Sequence, residues 1–234
     1  MIKVKLIAYT KDPEQNVTAA IRQCYSAVGA NEIKKKVDTA TAERLIKQVL
    51  GSGHTSTIEH AVFTFAIEGV SRALTHQLVR HRMASYSHQS QRYVDLSKNK
   101  LVYITPPEIA KDGKMLSEFK KTMKLIEERY VAMVKAGIKP EDARYILPNA
   151  CETKIVVTMN ARSLHNFFRE RCCNRAQWEI RQLANLMLKE ARKVAPIIFA
   201  YAGPSCETEK VCWEGKMSCG KYKTIKNSQL LSRI

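Results

Sequence analysis

Several common signatures are missing from this 234-residue chain, and each absence excludes a class of protein. Neither GxGxxG nor GxxxxGK[ST] occurs, so the sequence predicts neither a Rossmann dinucleotide site nor a P-loop. The longest apolar run, 195–203, is too short to span a bilayer, and the charged N-terminal MIKVK has no cleavage-like site. We therefore expect a soluble cytoplasmic protein with no membrane partner.

Acidic residues are also scarce relative to basic ones. Lys and Arg total 39 against 22 for Asp and Glu, which gives a net charge of +17. A field of this sign attracts nucleic acid, membrane surfaces or phosphorylated small molecules. At 45% hydrophobic residues the chain can still bury a substantial core.

Cysteines number seven, an odd count that argues against a disulfide framework in a chain without a secretory signal. Cys206, Cys212 and Cys219 lie close together and could in principle hold zinc. However, they lack the paired spacing of common zinc sites, and no histidine follows His165. We therefore predict free thiols and no metal site.

Hydrophobic periodicity predicts an α+β fold with a mixed or antiparallel sheet and long helices, because strands and helices do not alternate regularly. The predicted strands are 2–8, 61–70, 101–104 and 154–159. The predicted helices are 13–27 with Asp12 as its cap, 38–50, 71–82, 108–135, 141–146, one beginning near 160, and 176–194. We predict one domain over 1–203 and a polar, flexible or loosely packed C-terminal tail over 204–234.

The densest polar stretch is Gln77–Arg92, QLVRHRMASYSHQSQR. Arginine forks and serine hydroxyls in this density suit the capture of an anion such as phosphate. The alternative is a solvated basic face. Two features argue against it: almost no acid balances the cluster, and serines interrupt what would otherwise be a good surface helix.

These residues resemble a known signature. Arg80-His81-Arg82 with Ser85, Ser90 and Arg92 is similar to the RHRxxSxxxxSxR motif of the flavin-dependent thymidylate synthases. Three further blocks resemble the same family in the same order: GHTSTIEHAVFTF at 53–65, DARYILP at 142–148 and MNARSLHNFFRERCCNRAQWEIR at 159–181. The resemblance covers roughly 1–203, and the tail beyond Pro204 is outside it.

The resemblance implies a single-domain fold of that family and an enzyme that reductively methylates dUMP to dTMP. Noncovalent FAD would be the cofactor, with 5,10-methylenetetrahydrofolate as carbon donor and NADPH as reductant of the flavin. It also implies a homotetramer with active sites at subunit interfaces, to which the apolar stripe of helix 108–135 is a plausible contributor. All these ligands are anionic, so the net charge of +17 is explained without a nucleic-acid partner.

Individual site residues follow from the same resemblance. The FAD-binding set is His54, Ser56, Arg80, His81, Arg82, His88, Asn160, Arg162 and Asn166. The dUMP-binding set is Gln77, Arg80, His88, Gln89, Ser90, Arg92, Arg144 and Arg171. Arg92 and Arg144 are the expected phosphate forks.

Arg171 receives the catalytic assignment, since the matching arginine of the family contacts the uracil and favours ionisation at N3. A permanent cation beside a developing anion stabilises that anion. Helical geometry indicates that Asn160, Arg162, Asn166 and Arg169 cannot all share a face with Arg171. Arg169 and Arg175 are therefore expected at the surface or in ion pairs.

Histidines and a nearby glutamate have two interpretations each. Glu59 and His60 could form an acid–base pair, but we favour a role in tying the turn before the strand. His54 is expected near the flavin. His76 and His165 fall on helices, where a partly buried, hydrogen-bonded histidine is the usual outcome.

Two positions depart from the common family pattern. Ser87-His88 stands where many relatives carry Asn-Glu, so His88 cannot supply the carboxylate's charge, and Thr57 replaces a frequent proline. Neither change touches Arg80, Ser90, Arg92 or Arg171.

Rival functions are a basic RNA- or DNA-binding module and a flavoprotein that acts on other substrates. No RNP, KH or zinc-finger pattern supports the first. Arg144 and Arg171, which would serve the nucleotide, argue against the second. A thiolate-dependent thymidylate synthase is excluded because no cysteine follows a proline.

Overall fold

Four strands form one antiparallel sheet in a computed structural model of the protein, which describes residues 1–96 and 100–222. The strands follow the order β1-β2-β4-β3 across the sheet. Their bounds are β1 Lys3–Tyr9, β2 Val62–Ser71, β3 Ala84–His88 and β4 Glu152–Asn160. Together with long helices, this sheet confirms the predicted α+β class.

Ten helices occur in the described ranges, and none of them is long and apolar enough to cross a membrane. They are α1 Pro13–Gln23, α2 Ala30–Lys35, α3 Thr39–Gly51, α4 Arg72–Leu78, α5 Pro107–Lys111, α6 Gly113–Lys135, α7 Pro140–Ala143, α8 Ala161–Arg171, α9 Trp178–Val194 and α10 Ser205–Thr208. Short 3-10 helices also lie at Thr55–His60, Arg144–Ile146 and Gly215–Met217.

Capping side chains explain where the helices of the site begin. The Ser71 hydroxyl accepts a hydrogen bond from the Leu74 amide at 3.0 Å, so α4 starts directly after β2. The Asn160 side-chain oxygen accepts one from the Ser163 amide at 2.9 Å, so α8 starts where β4 ends. The backbone amide of Ala161 also donates to the carbonyl of Ala61 at 2.8 Å, which ties this start to β2.

The long predicted helix over 108–135 is wrong in one respect, because Asp112 divides it into α5 and α6. The Asp112 carboxylate accepts bonds from the amides of Lys114 and Met115, at 2.9 and 3.0 Å. A new helix N-terminus therefore forms in the middle of the predicted one. Along α6 only Met123 and Tyr130 are buried.

Two other predicted elements are shorter than expected. The strand over 101–104 is a single bridge between Tyr103 and Cys151. The helix over 71–82 ends at Leu78, and the serine-rich sequence after it forms β3, which periodicity did not predict. Helix α2 and the 3-10 helix before β2 were not predicted either.

Asp12 stands at the predicted cap position of α1 but does not cap it with its side chain. Its backbone has φ 49°, and only its carbonyl accepts a bond, from the Asn16 amide at 3.0 Å. In the tail, α10 and Gly215–Met217 give residues 205–217 local structure, whereas 223–234 lie outside the described residues. The domain boundary at 203 stays a prediction.

Internal contacts divide the chain into two compact units, each made of separate stretches. Among the described residues, the first unit comprises Met1–Lys3, Ile67–Arg80 and those within Tyr86–Val156, and the second comprises Val4–Ala66, His81–Ser85 and those from Val157 to Tyr222. In the first, Leu74, Leu78, Met123, Tyr130 and Ile155 form the buried core. In the second, Phe63, Phe167, Phe168 and Phe199 are fully buried, and the rings of Phe63 and Phe199 meet edge to face at 5.2 Å.

Candidate active site

A cavity of about 1040 Å³ opens in the second unit. Five stretches of chain line it: the end of α3, the 3-10 helix Thr55–His60, residues 82–83 before β3, helix α8 with its cap Asn160, and the segment 201–209. Its volume is at the upper end of the range for small-molecule sites. Basic side chains are prominent in the lining, namely Lys47, Arg82, Arg162 and Arg169.

Helix α8 supplies the polar side chains of this cavity. Asn160 uses its side-chain oxygen to cap the helix, which leaves its amide nitrogen as a donor. The Ser163 hydroxyl donates to the carbonyl of Met83 at 3.0 Å, and Met83 has a left-handed φ of 65°. The amino end of α8, with its positive dipole, therefore contributes to the wall, an arrangement that favours an anion.

Two ion pairs connect α8 to other stretches of the cavity lining. Arg162 contacts the Glu59 carboxylate at 2.6 Å, and Arg169 contacts Glu209 at 3.3 Å. Glu59 therefore ties the 3-10 helix to α8, a variant of the turn-tying role that we favoured for it. Arg169 lies in an ion pair as predicted.

Four of the residues predicted to bind FAD line the cavity: Arg82, Asn160, Arg162 and Asn166. His54 and Ser56 are exposed and alternate in sequence with the lining residues Gly53 and Thr55. Arg171 is not in the lining, which agrees with the helical-face prediction. Sequence reasoning missed Lys47, Tyr201, Thr208 and Glu209, whose surroundings carry no recognisable motif.

Arg171, at the end of α8, is held by His81. The Arg171 Nε donates to the His81 Nε2 at 2.8 Å, so this ring nitrogen carries no proton. The ring of His81 is buried and packs edge-on against Phe167 at 4.9 Å. Burial, and then the charge of Arg171, hold the pKa of His81 below its usual value of 6.5.

Glu170 lies near the same pair at longer range. Its carboxylate is 3.9 Å from the His81 Nε2 and 3.8 Å from an Arg171 terminal nitrogen. Half of the Glu170 side chain is exposed, so solvent weakens both interactions. The Nε bond to His81 is thus the close contact that orients the Arg171 guanidinium.

A second polar cluster lies in the first unit and contains residues predicted to bind dUMP. Arg92 contacts the Glu141 carboxylate at 3.4 Å, and Arg144 Nε donates to the Glu141 carbonyl at 3.1 Å. The Ser90 hydroxyl accepts a bond from the Arg92 amide at 3.2 Å. The structure therefore brings Ser90, Arg92 and Arg144 together around Glu141.

Arg72 belongs to this basic cluster and was not predicted. Burial, followed by the charge of Arg144, lowers the pKa of Arg72. Arg72 also donates weakly to the carbonyl of Gln89 at 3.5 Å. Its position directly after β2, at the start of α4, carries no motif that sequence reasoning could use.

His88 faces the interior of the first unit. The Thr153 hydroxyl lies 2.9 Å from its Nε2, and Arg72 Nη1 lies 3.2 Å from each ring nitrogen. Burial and the charge of Arg72 lower the pKa of His88 to about 4. At neutral pH it is therefore an uncharged residue beside Arg72, where the family pattern has a carboxylate.

The predicted site residues thus fall into two sets. Gln77, Arg80, His88, Gln89, Ser90, Arg92 and Arg144 belong to the first unit, whereas His54, Ser56, His81, Arg82, Asn160, Arg162, Asn166 and Arg171 belong to the second. The sets separate largely by expected ligand, with nucleotide residues in the first and flavin residues in the second.

The remaining histidines differ in burial. His165 is partly buried, its Nε2 lies 2.9 Å from the Ile198 carbonyl, and its ring stacks on Phe199 at 5.4 Å, as expected for a packed histidine. His76 is exposed, so the prediction of partial burial was wrong for it, because the last turn of α4 presents this position to solvent. His60 is exposed as well.

Comparisons with known proteins agree on one family. The sequence model described as "Thymidylate synthase complementing protein" matches residues 5–197. The chain is 51% identical to a flavin-dependent thymidylate synthase of Clostridium tetani, over 98% of this chain and 97% of that protein. It is 48% identical to one of Geobacter sulfurreducens, over 96% and 97% respectively.

A solved structure shares the fold. It is the UMP/dUMP methylase PolB of Streptomyces cacaoi bound with 5-Br dUMP, which superposes with a TM-score of 0.73 at 23% identity. The similarity covers 86% of this chain and 93% of that one.

Proposed function

The chain belongs to the family of flavin-dependent thymidylate synthases, and from this premise we infer that it methylates dUMP to dTMP with FAD as its cofactor. The observation that carries this inference is the 51% identity to a named flavin-dependent thymidylate synthase over nearly the whole of both chains. The roles of individual residues, the co-substrates and the assembly are our proposals.

We propose that FAD binds in the cavity of the second unit. The residues fit an extended, doubly anionic ligand, because Arg82, Arg162 and the start of α8 supply positive charge for a pyrophosphate. Asn166 can donate to and accept from polar ring edges, and the amide nitrogen of Asn160 can donate to them. When bound and reduced, the flavin supplies the hydride of the reaction.

The dUMP phosphate is proposed to bind at the basic cluster of Arg92, Arg144 and Ser90. Glu141 already holds both guanidinium groups, one through its carboxylate and one through its carbonyl. Their side-chain entropy is therefore partly lost before any ligand arrives, which favours tight capture of a phosphate. Arg72 adds a further positive charge to the environment of Arg144.

Arg171 is proposed to activate the uracil ring. Because the Arg171 Nε–H donates its hydrogen bond to His81, the two terminal nitrogens remain to face a substrate. A fixed guanidinium beside the ring stabilises the anion that forms at N3 and polarises the ring for methylene and hydride transfer. His81 must be neutral, because a protonated ring carries a hydrogen on Nε2 and cannot accept the bond from the Arg171 Nε–H.

The co-substrates and the assembly complete the proposal. We assign 5,10-methylenetetrahydrofolate as carbon donor and NADPH as reductant, both by family membership, and place the reaction in the cytoplasm where these metabolites occur. A homotetramer with active sites at subunit interfaces is supported by the exposed apolar residues Met115, Leu125 and Met133 on α6. Light scattering should give about four times the chain mass of 26.6 kDa.

The deciding experiment is a complete in vitro reaction. Purified protein with FAD, dUMP, methylenetetrahydrofolate and NADPH should form dTMP, detected by chromatography, and omission of dUMP, methylenetetrahydrofolate or NADPH should stop it. The protein should also carry a flavin absorbance spectrum. A correctly folded, assembled protein that binds no flavin and forms no dTMP, but binds oligonucleotides tightly, would instead be a nucleic-acid-binding module.

A further inference from the structure

Five of the seven cysteines line one small cavity, of about 30 Å³, in the second unit. Cys172 and Cys173 come from the end of α8, and Cys206, Cys212 and Cys219 come from the C-terminal segment. In the sequence, Cys206, Cys212 and Cys219 lack the second pair of closely spaced ligands that zinc sites usually have. In the fold, Cys172 and Cys173 at the end of α8 line the same cavity as these three cysteines.

The C-terminal segment, residues 205–222, has almost no apolar core. Cys212 is its only buried residue, and its secondary structure is limited to α10 and one 3-10 turn. Surface ion pairs such as Lys221 with Glu207 contribute little to stability in water. A short segment of this kind is commonly held by a metal ion, because ligation replaces the hydrophobic burial that it lacks.

The surroundings of the thiols suit thiolate ligands. The Arg175 amide donates to the Cys173 sulfur at 3.4 Å, and the Asn174 side-chain nitrogen lies 3.9 Å from the Cys219 sulfur. Arg175 also lines the cavity, and its charge offsets that of thiolates, whereas Lys221 in the same lining is paired with Glu207. The volume admits a single ion or about one water molecule.

We propose that Cys173, Cys206, Cys212 and Cys219 bind one zinc ion, which fastens the C-terminal segment to the end of α8. Soft sulfur donors select zinc over magnesium or calcium, and the five sulfurs of the lining outnumber its two carboxylates, Glu207 and Glu214, the first of which is paired with Lys221. In residues 1–96 and 100–222, no three potential ligands already surround one metal position. Binding therefore requires side-chain rotation that draws the four sulfurs inward.

Cys172 is left out of the ligand set because its backbone still belongs to α8, where its amide donates to the Phe168 carbonyl at 3.0 Å. The next residue, Cys173, lies beyond the helix and is only partly buried, so its side chain is the one that can turn toward a metal ion. Cys219 is exposed and follows the 3-10 turn Gly215–Met217, so its side chain can turn toward a metal ion without disturbing the core. Because thiols lose their protons when they bind a metal, zinc uptake should release protons.

The test uses the full-length protein purified under reducing conditions. Elemental analysis should find about one zinc per chain. After removal of zinc by a chelator, added Co²⁺ should produce the intense near-ultraviolet absorption of thiolate-to-cobalt charge transfer, and added zinc should abolish it. These readouts do not depend on flavin or on turnover, so they stand apart from the proposed function.

Single substitutions identify the ligands. Cys206→Ser and Cys219→Ser should each weaken Co²⁺ binding at least about tenfold, since even outer-sphere changes at metal sites cost 10- to 100-fold. Cys24→Ser is the matched control, because Cys24 is exposed and lies on α1's C-terminal side, away from the cavity. It should bind Co²⁺ as the wild type does.

Two results overturn the proposal. One is reduced wild-type protein that contains no zinc and gives no thiolate–cobalt absorption at saturating Co²⁺, including the case in which the thiols are recovered as a disulfide. The other is equal loss of binding in Cys24→Ser and in the cavity variants. The first result is measured on the wild-type protein alone. The proposal can therefore be overturned even if every variant misfolds.

Discussion

Arg171 and His81 lie 90 positions apart in the sequence and meet through one hydrogen bond of 2.8 Å. The Nε–H of Arg171 donates this bond, and the side chain of Arg171 is only 25% exposed. A cation in such a place has few alternative orientations. At the residue scale, the proposed chemistry therefore depends on two side chains rather than on Arg171 alone.

Arg171→Ala tests the proposed activation of uracil. We expect dTMP formation to fall by at least about 100-fold, the usual cost of losing one group that stabilises a developing anion. The flavin should remain bound and reducible, because Arg171 does not line the cavity. Steady-state turnover and the flavin spectrum measure the two effects, and turnover within about twofold of wild type would contradict the assignment.

His81→Phe tests whether His81 positions Arg171. Phenylalanine keeps the ring beside Phe167 but accepts no hydrogen bond, so we expect kcat to fall about tenfold at saturating FAD. His81→Gln retains an acceptor and should restore part of the activity. If both variants lose the same activity, packing rather than the hydrogen bond explains the effect.

The same pair predicts a pH profile. The pKa of His81 is lowered from 6.5 by burial and by Arg171, so the neutral ring persists below pH 6.5 and is protonated only in more acidic solution. The wild-type kcat should fall as the pH decreases through that lowered pKa. The acid limb should disappear in His81→Gln, and its persistence there would assign the limb to another group.

Sequence reasoning reached the chemical identities of these residues but not their contacts. The RHR signature identified His81, and the block at 159–181 identified Arg171, yet neither indicates that their nitrogens meet. Arg72 shows the opposite limit, since no motif surrounds it and only burial beside Arg144 reveals it. Contacts between distant segments depend on packing, which local patterns do not encode.

At the scale of elements, strand β2 contains a glycine that no other residue can replace without strain. Gly69 has a φ of 70°, in the left-handed region. A Cβ built there lies 2.5 Å from the backbone oxygen of Met1. The beginning of the chain therefore passes β2 too closely for any side chain.

Gly69→Ala should accordingly destabilise the protein by about 2 kcal/mol, through backbone strain and the clash with Met1. Gly113→Ala is the matched control, because it opens α6 and its Cβ would meet nothing within 4 Å. We expect that control to change stability by less than about 1 kcal/mol. Urea unfolding measures both, and equal midpoints for the two variants would refute the close approach.

Elements with strong local signals were predictable, and those that depend on a single side chain were not. The strands β1, β2 and β4 and the helices α3, α8 and α9 have clear periodicity and were placed within a few residues. The break at Asp112 was missed because it depends on one capping side chain, and the short β3 was missed because it depends on its pairing with β4. Of the cavity, the α8 wall was predictable from its motif, whereas the wall at 201–209 was not.

At the scale of the whole molecule, the net charge of +17 acts on every proposed substrate in the same direction. dUMP, folate and NADPH are all anions, so the field raises their local concentration. Salt screens such a field beyond about 10 Å at 0.1 M ionic strength. Capture of substrate should therefore be more salt-sensitive than the chemical step.

A roughly tenfold increase in ionic strength should raise the KM for dUMP several-fold and leave kcat within about twofold. Sodium chloride and potassium acetate should act alike if screening is the cause. A KM for dUMP that does not respond to salt, or a parallel loss of kcat, would mean that long-range electrostatic attraction does not determine how dUMP is captured. Initial rates at several dUMP concentrations provide the measurement.

The cavity wall at Tyr201, Thr208 and Glu209 lies beyond residue 197, where the match to the family model ends. An inhibitor that fills the rest of the cavity would meet residues set by the shared fold and chemistry. One extended toward Tyr201 and Glu209 would meet positions outside the segment that the family model covers. The chain after residue 197 is thus where a compound could be made selective for this enzyme over relatives that differ there.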